Sequence, residues 1–354
     1  MKDTLGFLFL LGRPLCPLYA GAMALRAWLY RRGIFRSERL PVPVICIGNL
    51  TMGGTGKTPL VMAVTRMLEA MGRKPALVSR GYRGQAREAV NVVADGRAVL
   101  LDAAAAGDEP RLLAESLPGV PVITGRRRAL AGRAAVERFG ADAIVLDDGF
   151  QHLALCRDLD LVLFNAHAEM EKEKVFPGGN LREPFKALAR AQAAVVTGVG
   201  PATSAKAERF RRFLRDRFPG LPVFTCGYRP VALREEPGGS PCGLGAVKGM
   251  PLCGFCGIAT PESFRQTLAG LDCRLQGFRA FRDHHQYGRG DLEALVGWAK
   301  GQGGQGLITT EKDFVKIGPF CEGEFPVYVL RVELTLDQEL ILFLKKEITG
   351  WKRP

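Results

Sequence analysis

A glycine-rich segment that follows an apolar, β-branched run carries the strongest chemical signal in the sequence. It comprises Thr51, Met52, Gly53, Gly54, Thr55, Gly56, Lys57 and Thr58, and it precedes a stretch with helical spacing of apolar residues. Backbone N–H groups of such a loop can surround phosphate oxygens, while a lysine reaches the outer phosphates and a threonine hydroxyl ligates Mg²⁺. Although Thr51 stands where a glycine usually opens the motif, the strand–loop–helix context predicts a P-loop for ATP and Mg²⁺.

Two consecutive carboxylates follow a second apolar run. Residues 143–146 predict a buried strand that ends at Asp147 and Asp148, with Gln151 and His152 close behind. An acid in that position of a P-loop fold can reach the metal directly or through water. A helix cap would explain one aspartate, but not two acids together with a glutamine and a histidine. We therefore expect these four side chains to belong to a site at the carboxyl end of the strand.

Two acidic segments allow both a catalytic and a structural interpretation. Asp108, which precedes Glu109 and Pro110, could accept a proton from a substrate hydroxyl, but the local pattern favours a helix N-cap. Asp283 and His284 belong to an Asp-His-His segment, where acid–base work fits better than metal binding and a solvated loop is the alternative. The residues alone leave both segments open.

A turn-rich loop and a segment after a late apolar run are similarly ambiguous. Arg182 and Glu183 lie in the loop 177–184, where arginine suits phosphate and glutamate suits a metal or a lysine. A solvated surface turn fits that loop equally well. Residues 309–313, Thr-Thr-Glu-Lys-Asp, could contact a nucleotide, brace a domain interface or simply begin a capped helix.

Alternating strand and helix patterns must position these residues. Short apolar runs predict strands near residues 42–47, 76–79, 143–146, 159–164 and 193–197, and helical spacing recurs between several of them. This alternation is typical of an α/β fold, here a P-loop NTPase-like parallel sheet with helices on both faces.

The length of the chain suggests more than one domain. At roughly 100–200 residues per domain, 354 residues predict two. We expect an N-terminal membrane-associated helix at residues 1–40 and a P-loop domain at 41–222. A hinge or β-ribbon at 223–250 would lead to a second, smaller α/β domain at 251–354.

Residues 1–40 combine apolar runs with a basic excess. They carry seven basic and two acidic side chains. The uncharged runs at residues 4–12 and 14–25 are each shorter than the about 20 residues that a spanning helix needs. We expect Pro14 and Pro17 to interrupt a helix. Apolar residues beside arginines indicate an interfacial helix on an anionic membrane surface, and a core helix with a solvated basic end is the alternative.

The whole chain is basic and contains nine cysteines. Lys and Arg number 49 against 36 Asp and Glu, which gives a net charge of +13 and favours an acidic partner. A nucleic acid is not expected, because the sequence shows no nucleic-acid motif and no interleaved aromatic–basic patch. The irregular cysteine spacing indicates a reducing compartment, and Cys253 and Cys256 are expected to be small buried residues rather than a redox or metal site.

Seven motifs, spread in order over about residues 40–315, together resemble those of the tetraacyldisaccharide 4'-kinase family, the lipid A kinases. They are Gly48–Pro59, Ser79–Tyr82, Gly107–Pro110, Asp147–His152, Leu181–Pro184, Asp283–His284 and Thr310–Asp313. The resemblance implies transfer of the ATP γ-phosphate to the 4'-hydroxyl of an acylated glucosamine disaccharide 1-phosphate, in lipopolysaccharide biosynthesis. It also implies Mg²⁺, a hinge between the two domains, and the cytoplasmic face of a Gram-negative inner membrane.

The same resemblance implies roles for individual residues. It makes Asp108 the catalytic aspartate and His284 its partner, which reverses the local preference for Asp108 as an N-cap; His285 receives no role. Closing the hinge would then assemble this pair and exclude water. The residues implied near Mg²⁺ are Thr58, Asp148 and Glu183, and those around the reacting groups are Asp147, Gln151, His152 and Arg182.

A membrane-associated P-loop ATPase that acts as a switch or partitioning protein is the alternative class. Such proteins often carry a lysine early in a related loop, where it reaches across a dimer. Thr51 and Met52 occupy those early positions here, and this favours the kinase.

Overall fold

The computed structural model describes residues 8–351, except Arg83, Glu169, Glu171, Lys172 and His284. The strands are β1 (Val44–Asn49), β2 (Pro75–Ser79), β3 (Asn91–Asp95), β4 (Pro121–Thr124), β5 (Ala143–Asp147), β6 (Leu159–Asn165), β7 (Ala193–Thr197), β8 (Val223–Glu236), β9 (Ser240–Cys242), β10 (Pro251–Cys256), β11 (Arg274–Ala280), β12 (Gly306–Thr310) and β13 (Val327–Leu336). The helices are α1 (Cys16–Arg31), α2 (Lys57–Ala70), α3 (Ala103–Ala106), α4 (Asp108–Ser116), α5 (Arg128–Phe139), α6 (Ser204–Arg217), α7 (Pro261–Ala269), α8 (Arg289–Gly301), α9 (Glu311–Ile317) and α10 (Gln338–Thr349).

These strands form one mixed sheet. Their order is β11-β10-β12-β13-β8-β7-β6-β1-β5-β2-β4-β3, with β9 paired to β8. Most neighbours are parallel, and the antiparallel pairs in the described residues are β3–β4, β8–β9 and β8–β13. The predicted α/β architecture is confirmed, although the sheet is not purely parallel.

The sheet has two halves: the first half contains β1 to β7, and the second half contains β10 to β13. The antiparallel β8–β13 pair joins them and reverses the strand direction of the second half. β8 is parallel to β7, with Thr197 opposite Cys226, and it continues ten residues beyond that level to Glu236. β13 runs back along β8, from Val327 opposite Glu236 to Leu336 opposite Cys226. Because β12 and β10 are parallel to β13 and to each other, their carboxyl ends point towards the carboxyl ends of β1 and β5–β7. The two carboxyl edges therefore face each other across a crevice.

Helices cover both faces of each half of the sheet. Along β1, Val44 and Cys46 belong to one core cluster and Ile45 and Ile47 to another, as the two-residue period of a strand requires. In the first half, α5 and α6 pack on one face and α2, α4 and α10 on the other. In the second half, α7 packs on one face and α8 and α9 on the other. Burial on both faces explains why the central strands are almost uniformly apolar.

The N-terminal segment is helical from Leu8 to Arg31. Pro14 lies in a 3₁₀ turn at Arg13–Leu15, and Pro17 lies in the first turn of α1, where a missing N–H costs no helical bond. The 3₁₀ turn at Pro14 separates the α-helical residues 8–12 from α1, so the expected interruption occurs there, whereas Pro17 does not interrupt the helix. By length and composition the helix is apolar enough to cross a membrane, a test that signal sequences and core helices also pass. The core-helix alternative does not fit, because α1 contains no buried residue.

Several elements of the second half differ from the sequence patterns. The sequence patterns did not predict β11 or α8. β11 carries two arginines and a glutamine, and α8 contains three glycines, which lower helix propensity. Within the stretch 223–250, where a hinge or β-ribbon was expected, β8 and β9 pair antiparallel and Leu244–Val247 form a 3₁₀ turn. The domain limits at 222 and 251 stay predictions. The last helix, α10, packs its buried face into the core of the first half.

Replacing a buried leucine of α10 should measure how much the packing of this helix against the core of the first half stabilises the fold. Leu344 is 0% exposed in the first-half core, whereas Leu342, on the same helix, is 61% exposed. We expect Leu344→Ala to lower the free energy of unfolding by about 2–5 kcal/mol, because it leaves a cavity, and Leu342→Ala to change it by less than about 0.5 kcal/mol. Urea denaturation of both variants measures the difference; equal effects would show that α10 does not support this core.

Candidate active site

The glycine-rich loop connects β1 to α2 at the carboxyl edge of the first half. Gly53 and Gly56 have positive φ angles of 118° and 75°, which L side chains rarely adopt. A Cβ atom at Gly56 would also collide with the hydroxyl of Tyr228 on β8. The Asn49 amide donates to the Gly53 carbonyl at 3.2 Å and holds the loop against its strand. The backbone N–H groups at the start of α2 are thus arranged as in an anion site.

Lys57, Asp148 and Arg182 form a charged cluster beside this loop. The Lys57 ammonium lies 3.6 Å from Asp148 Oδ1, and one Arg182 nitrogen donates to both Asp148 oxygens at 3.0 and 2.9 Å. Burial alone would raise the pKa of Asp148, but the two cations outweigh it and hold the pKa below its ordinary value. The structure therefore brings one carboxylate and two cations together where phosphates would bind.

Asp147 precedes this cluster at the end of β5 and is buried. The Ser79 hydroxyl lies 3.5 Å from Asp147 Oδ2, and Asp147 Oδ1 has no hydrogen-bond partner among the described residues. Burial raises the pKa of Asp147 to about 7; Glu109 adds to the rise and Lys57 opposes it. A buried oxygen without a donor is suited to a ligand that brings its own positive charge or proton.

Gln151 and His152 follow on the loop after β5. The Gln151 amide donates to the Asn49 carbonyl at 2.9 Å, so it is tied to the strand that begins the P-loop. Burial, together with the charge of Arg128, lowers the pKa of His152 to about 4, so this imidazole is neutral near pH 7. Both residues lie on the same loop as Asp148, at the carboxyl edge of the sheet.

Asp108 lies at the start of α4 and is buried. Gly107, not Asp108, occupies the N-cap position, so the N-cap role favoured by the local sequence is wrong. Asp108 Oδ2 is 3.8 Å from the ammonium of Lys316 on α9, in the second half of the chain. The predicted partner His284 lies outside the described residues.

Glu183 is buried in an ion pair within the first half. Arg190 donates to both its carboxylate oxygens at 3.1 and 3.0 Å and stacks over the Phe150 ring at 4.6 Å. The predicted role of Glu183 near Mg²⁺ stays a prediction, since the geometry shows an arginine as its partner.

A cavity of about 200 Å³ lies in the crevice between the two carboxyl edges. Its walls come from both halves, because the antiparallel β8–β13 pair turns the carboxyl edge of the second half towards that of the first. The cavity is also lined by Tyr228 and Glu109, which the sequence did not identify as site residues, and by Lys312 of the ambiguous segment 309–313. Lys312 donates to Glu109 at 3.2 Å and lies 3.6 Å from Asp283. Glu109 and Lys312 lie within two of the quoted motifs, but no local pattern points to Tyr228.

The oxygen atoms of these side chains fit a Mg²⁺ ion that also keeps water and substrate oxygens as ligands. No cluster of three or more His, Cys, Asp or Glu that could hold a metal occurs among the described residues. Mg²⁺ in phosphoryl-transfer sites uses one or two carboxylates together with phosphate oxygens. Asp148 and the unpartnered Oδ1 of Asp147, together with the hydroxyl of Thr58 at the start of α2, agree with that pattern.

The N-terminal helix α1 contacts two segments of this site. The Tyr19 hydroxyl donates to the Arg182 carbonyl at 2.9 Å, and Arg26 donates to the Gln151 carbonyl at 3.1 Å. Tyr19 also packs edge-on against Phe176, with ring centroids 5.6 Å apart. The outer face of α1 exposes several large apolar side chains, among them Leu18 and Leu25. The element predicted to meet a membrane is therefore attached to the backbone of site residues.

Comparison with known proteins agrees with this geometry. The family model described as tetraacyldisaccharide-1-P 4'-kinase matches residues 8–349. The tetraacyldisaccharide 4'-kinase of Desulfotalea psychrophila is 46% identical over 95% of this chain and 96% of its own, and that of Syntrophus aciditrophicus is 40% identical over 93% and 91%. A crystal structure of LpxK from Aquifex aeolicus in complex with ATP has a TM-score of 0.73 and 29% identity, and covers 95% of this chain and 96% of its own.

Both the fold and the sequence therefore match this family over nearly the whole chain, and the ATPase-switch alternative is not favoured. Because the family model spans residues 8–349 and curated relatives exceed 40% identity over most of the chain, the protein belongs to the tetraacyldisaccharide 4'-kinase family.

Proposed function

We propose that this chain transfers the γ-phosphoryl group of ATP to the 4'-hydroxyl of an acylated glucosamine disaccharide 1-phosphate. The observation that carries the proposal is the cluster of Lys57, Asp148 and Arg182 beside the glycine-rich loop, in a crevice closed by both halves of the chain. Phosphoryl transfer needs mainly positioning and charge neutralisation, and this cluster supplies both.

Residues of the first half would bind the nucleotide. The backbone of residues 51–58 would surround the phosphates, and Lys57 and Arg182 would neutralise charge as it shifts towards the leaving ADP. Thr58 and Asp148, with Asp147 and Glu183 nearby, would hold Mg²⁺. When bound, Mg²⁺ would supply positive charge that offsets the repulsion within the triphosphate.

Asp108 would act as the general base in the transfer. The 4'-hydroxyl oxygen forms a bond to the γ-phosphorus while the bond from that phosphorus to the β–γ bridging oxygen breaks, and ADP leaves. The hydroxyl proton passes to the Asp108 carboxylate, with His284 as its proposed partner. Gln151 and His152, which is neutral near pH 7, would contact the acceptor side of the site.

The acceptor is proposed to approach from a membrane. The basic, apolar N-terminal helix would lie on the anionic cytoplasmic face of a bacterial inner membrane, and its contacts with Arg182 and Gln151 would bring a lipid headgroup to the phosphates. Closure of the crevice around both substrates would exclude water and limit ATP hydrolysis.

The function is tested with a disaccharide 1-phosphate lipid in detergent micelles and γ-labelled ATP. We expect label in the lipid for the wild type. Asp108→Asn should lower kcat by about 10²–10⁴-fold, since the hydroxyl proton loses its acceptor, and leave the KM for ATP nearly unchanged. Asp216→Asn, at an exposed position of α6, serves as the control. ATP hydrolysis without lipid phosphorylation by the wild type would contradict the proposal and favour the ATPase switch.

The raised pKa of Asp147 predicts a pH-dependent stability. The folded protein keeps a proton on Asp147 up to about pH 7, whereas the ordinary value is 3.8, so the wild type loses stability as the pH rises through this window. Asp147→Asn should therefore become more stable relative to the wild type from about pH 4 to about pH 7. Urea unfolding across this range measures the difference, with Asp216→Asn again as control. A difference that does not vary with pH would show that Asp147 is ionised throughout.

Charge placed on the outer face of α1 should weaken membrane binding. Leu18 is 74% exposed on α1, and Leu342 is 61% exposed on α10. We expect Leu18→Glu to reduce binding to vesicles that contain phosphatidylglycerol by about 10-fold or more, because it loses apolar burial and adds a repelled charge. Leu342→Glu should bind as the wild type does. Equal co-sedimentation of the two variants would exclude α1 as the membrane surface.

A further inference from the structure

A buried polar network in the second half surrounds Asp313 of α9. Asp313 is 0% exposed, and its Oδ1 accepts hydrogen bonds from the Gly257 N–H at 3.0 Å and the Tyr287 hydroxyl at 3.2 Å. Its Oδ2 accepts from the Thr310 hydroxyl at 2.7 Å. A carboxylate held by three donors from three segments has little freedom to reorient, so Asp313 is a fixed negative charge inside the second half.

Lys316 extends from this fixed charge to the first half. Its side chain is 4% exposed, and its ammonium lies 3.5 Å from Asp313 Oδ1 and 5.3 Å from the centre of the Tyr287 ring. The same ammonium lies 3.8 Å from Asp108 Oδ2. One buried cation is thus shared by two carboxylates, one from each half of the chain. Since burial of a lone ammonium is costly, the two carboxylates stabilise the charge of Lys316 in this position.

We infer that Lys316 is a positioning residue for Asp108. The inference rests on the proposed function, because it takes Asp108 to be the base. At 3.8 Å the contact is an ion pair longer than a hydrogen bond, so it attracts the carboxylate while leaving the lone pairs of its oxygens available to accept a proton. Asp313 and Tyr287 fix the lysine, and the lysine fixes Asp108.

The position of Lys316 on the second half makes this orientation depend on closure of the crevice. Lys312, one turn earlier on α9, contacts Glu109, which is next to Asp108. Two successive lysines of α9 therefore face two successive acids at the start of α4. Opening of the crevice would separate both pairs at once. Lys316 thus couples the base to closure, whereas binding of ATP phosphates at Lys57 and Arg182 does not require it.

Lys316→Met and Lys316→Arg test this role in the full-length protein with the lipid acceptor. We expect Lys316→Met to lower kcat by about 10- to 100-fold, because a misplaced base loses its alignment, and to leave the Kd for a fluorescent ATP analogue within about threefold. Lys316→Arg, which keeps the charge, should recover part of kcat. It also keeps the test valid if Lys316→Met proves too unstable to fold. The control is Arg66→Met, which removes another ion pair of the first half with β13, Arg66–Glu333 at 3.0 Å, and should leave kcat unchanged.

The double variant Asp108→Asn with Lys316→Met separates positioning from a merely structural role. If Lys316 acts through Asp108, the two losses in kcat should not multiply, and the double variant should resemble Asp108→Asn alone. Multiplied losses, or a Lys316→Met variant with wild-type kcat while Asp108→Asn is impaired, would overturn the inference and leave the role of Asp108 intact. Full turnover by Asp108→Asn would overturn the role of Asp108 and the inference together.

Discussion

Ten residue pairs join β8 to β13 in antiparallel register, and this joint decides which way the second half of the chain faces. Had the two strands been parallel, the carboxyl ends of β10 and β12 would have pointed away from the glycine-rich loop. In α/β sheets the loops at the carboxyl ends of strands carry ligand sites. By reversing direction at one strand pair, the fold places two such edges opposite each other. The crevice, its cavity and every contact between α4 and α9 follow from that reversal.

Buried ionic contacts join the two sides of the crevice, beside a neutral hydrogen bond from Asn165 to Thr260. Asp108 contacts Lys316, and Glu109 contacts Lys312. Buried ion pairs add little net stability, because the loss of hydration offsets most of the attraction. They do, however, specify one arrangement, since a displaced half would leave each charge without its partner. An interface of this kind suits two halves that must meet in a defined register and also separate.

Local patterns identified the parts of the site that local structure forms. The loop 51–58 and the pair Asp147–Asp148 each follow a buried strand. A strand followed by a turn can be recognised from a sequence of about ten residues. The surroundings of Asp108 are different, because its neighbour Glu109 contacts a lysine 203 positions later in the chain. Local statistics therefore favoured an N-cap that the structure assigns to Gly107. Likewise, no local pattern indicated that Glu183 forms an ion pair with Arg190. The exposed arginines of β11 obscured its amphipathic pattern.

Side chains of the N-terminal helix, a surface element, bond directly to the backbone of residues in the site. Tyr19 and Arg26 bond to the carbonyls of Arg182 and Gln151, so they contact the main chain and leave those two side chains for other partners. Arg182 in turn holds Asp148, which lies 3.6 Å from Lys57. Two residues, Arg182 and Asp148, therefore connect α1 to Lys57 on the phosphate side of the crevice. In a kinase whose acceptor is a lipid, a membrane bound at α1 would therefore have a fixed orientation relative to the nucleotide site, as proximity between the two substrates requires.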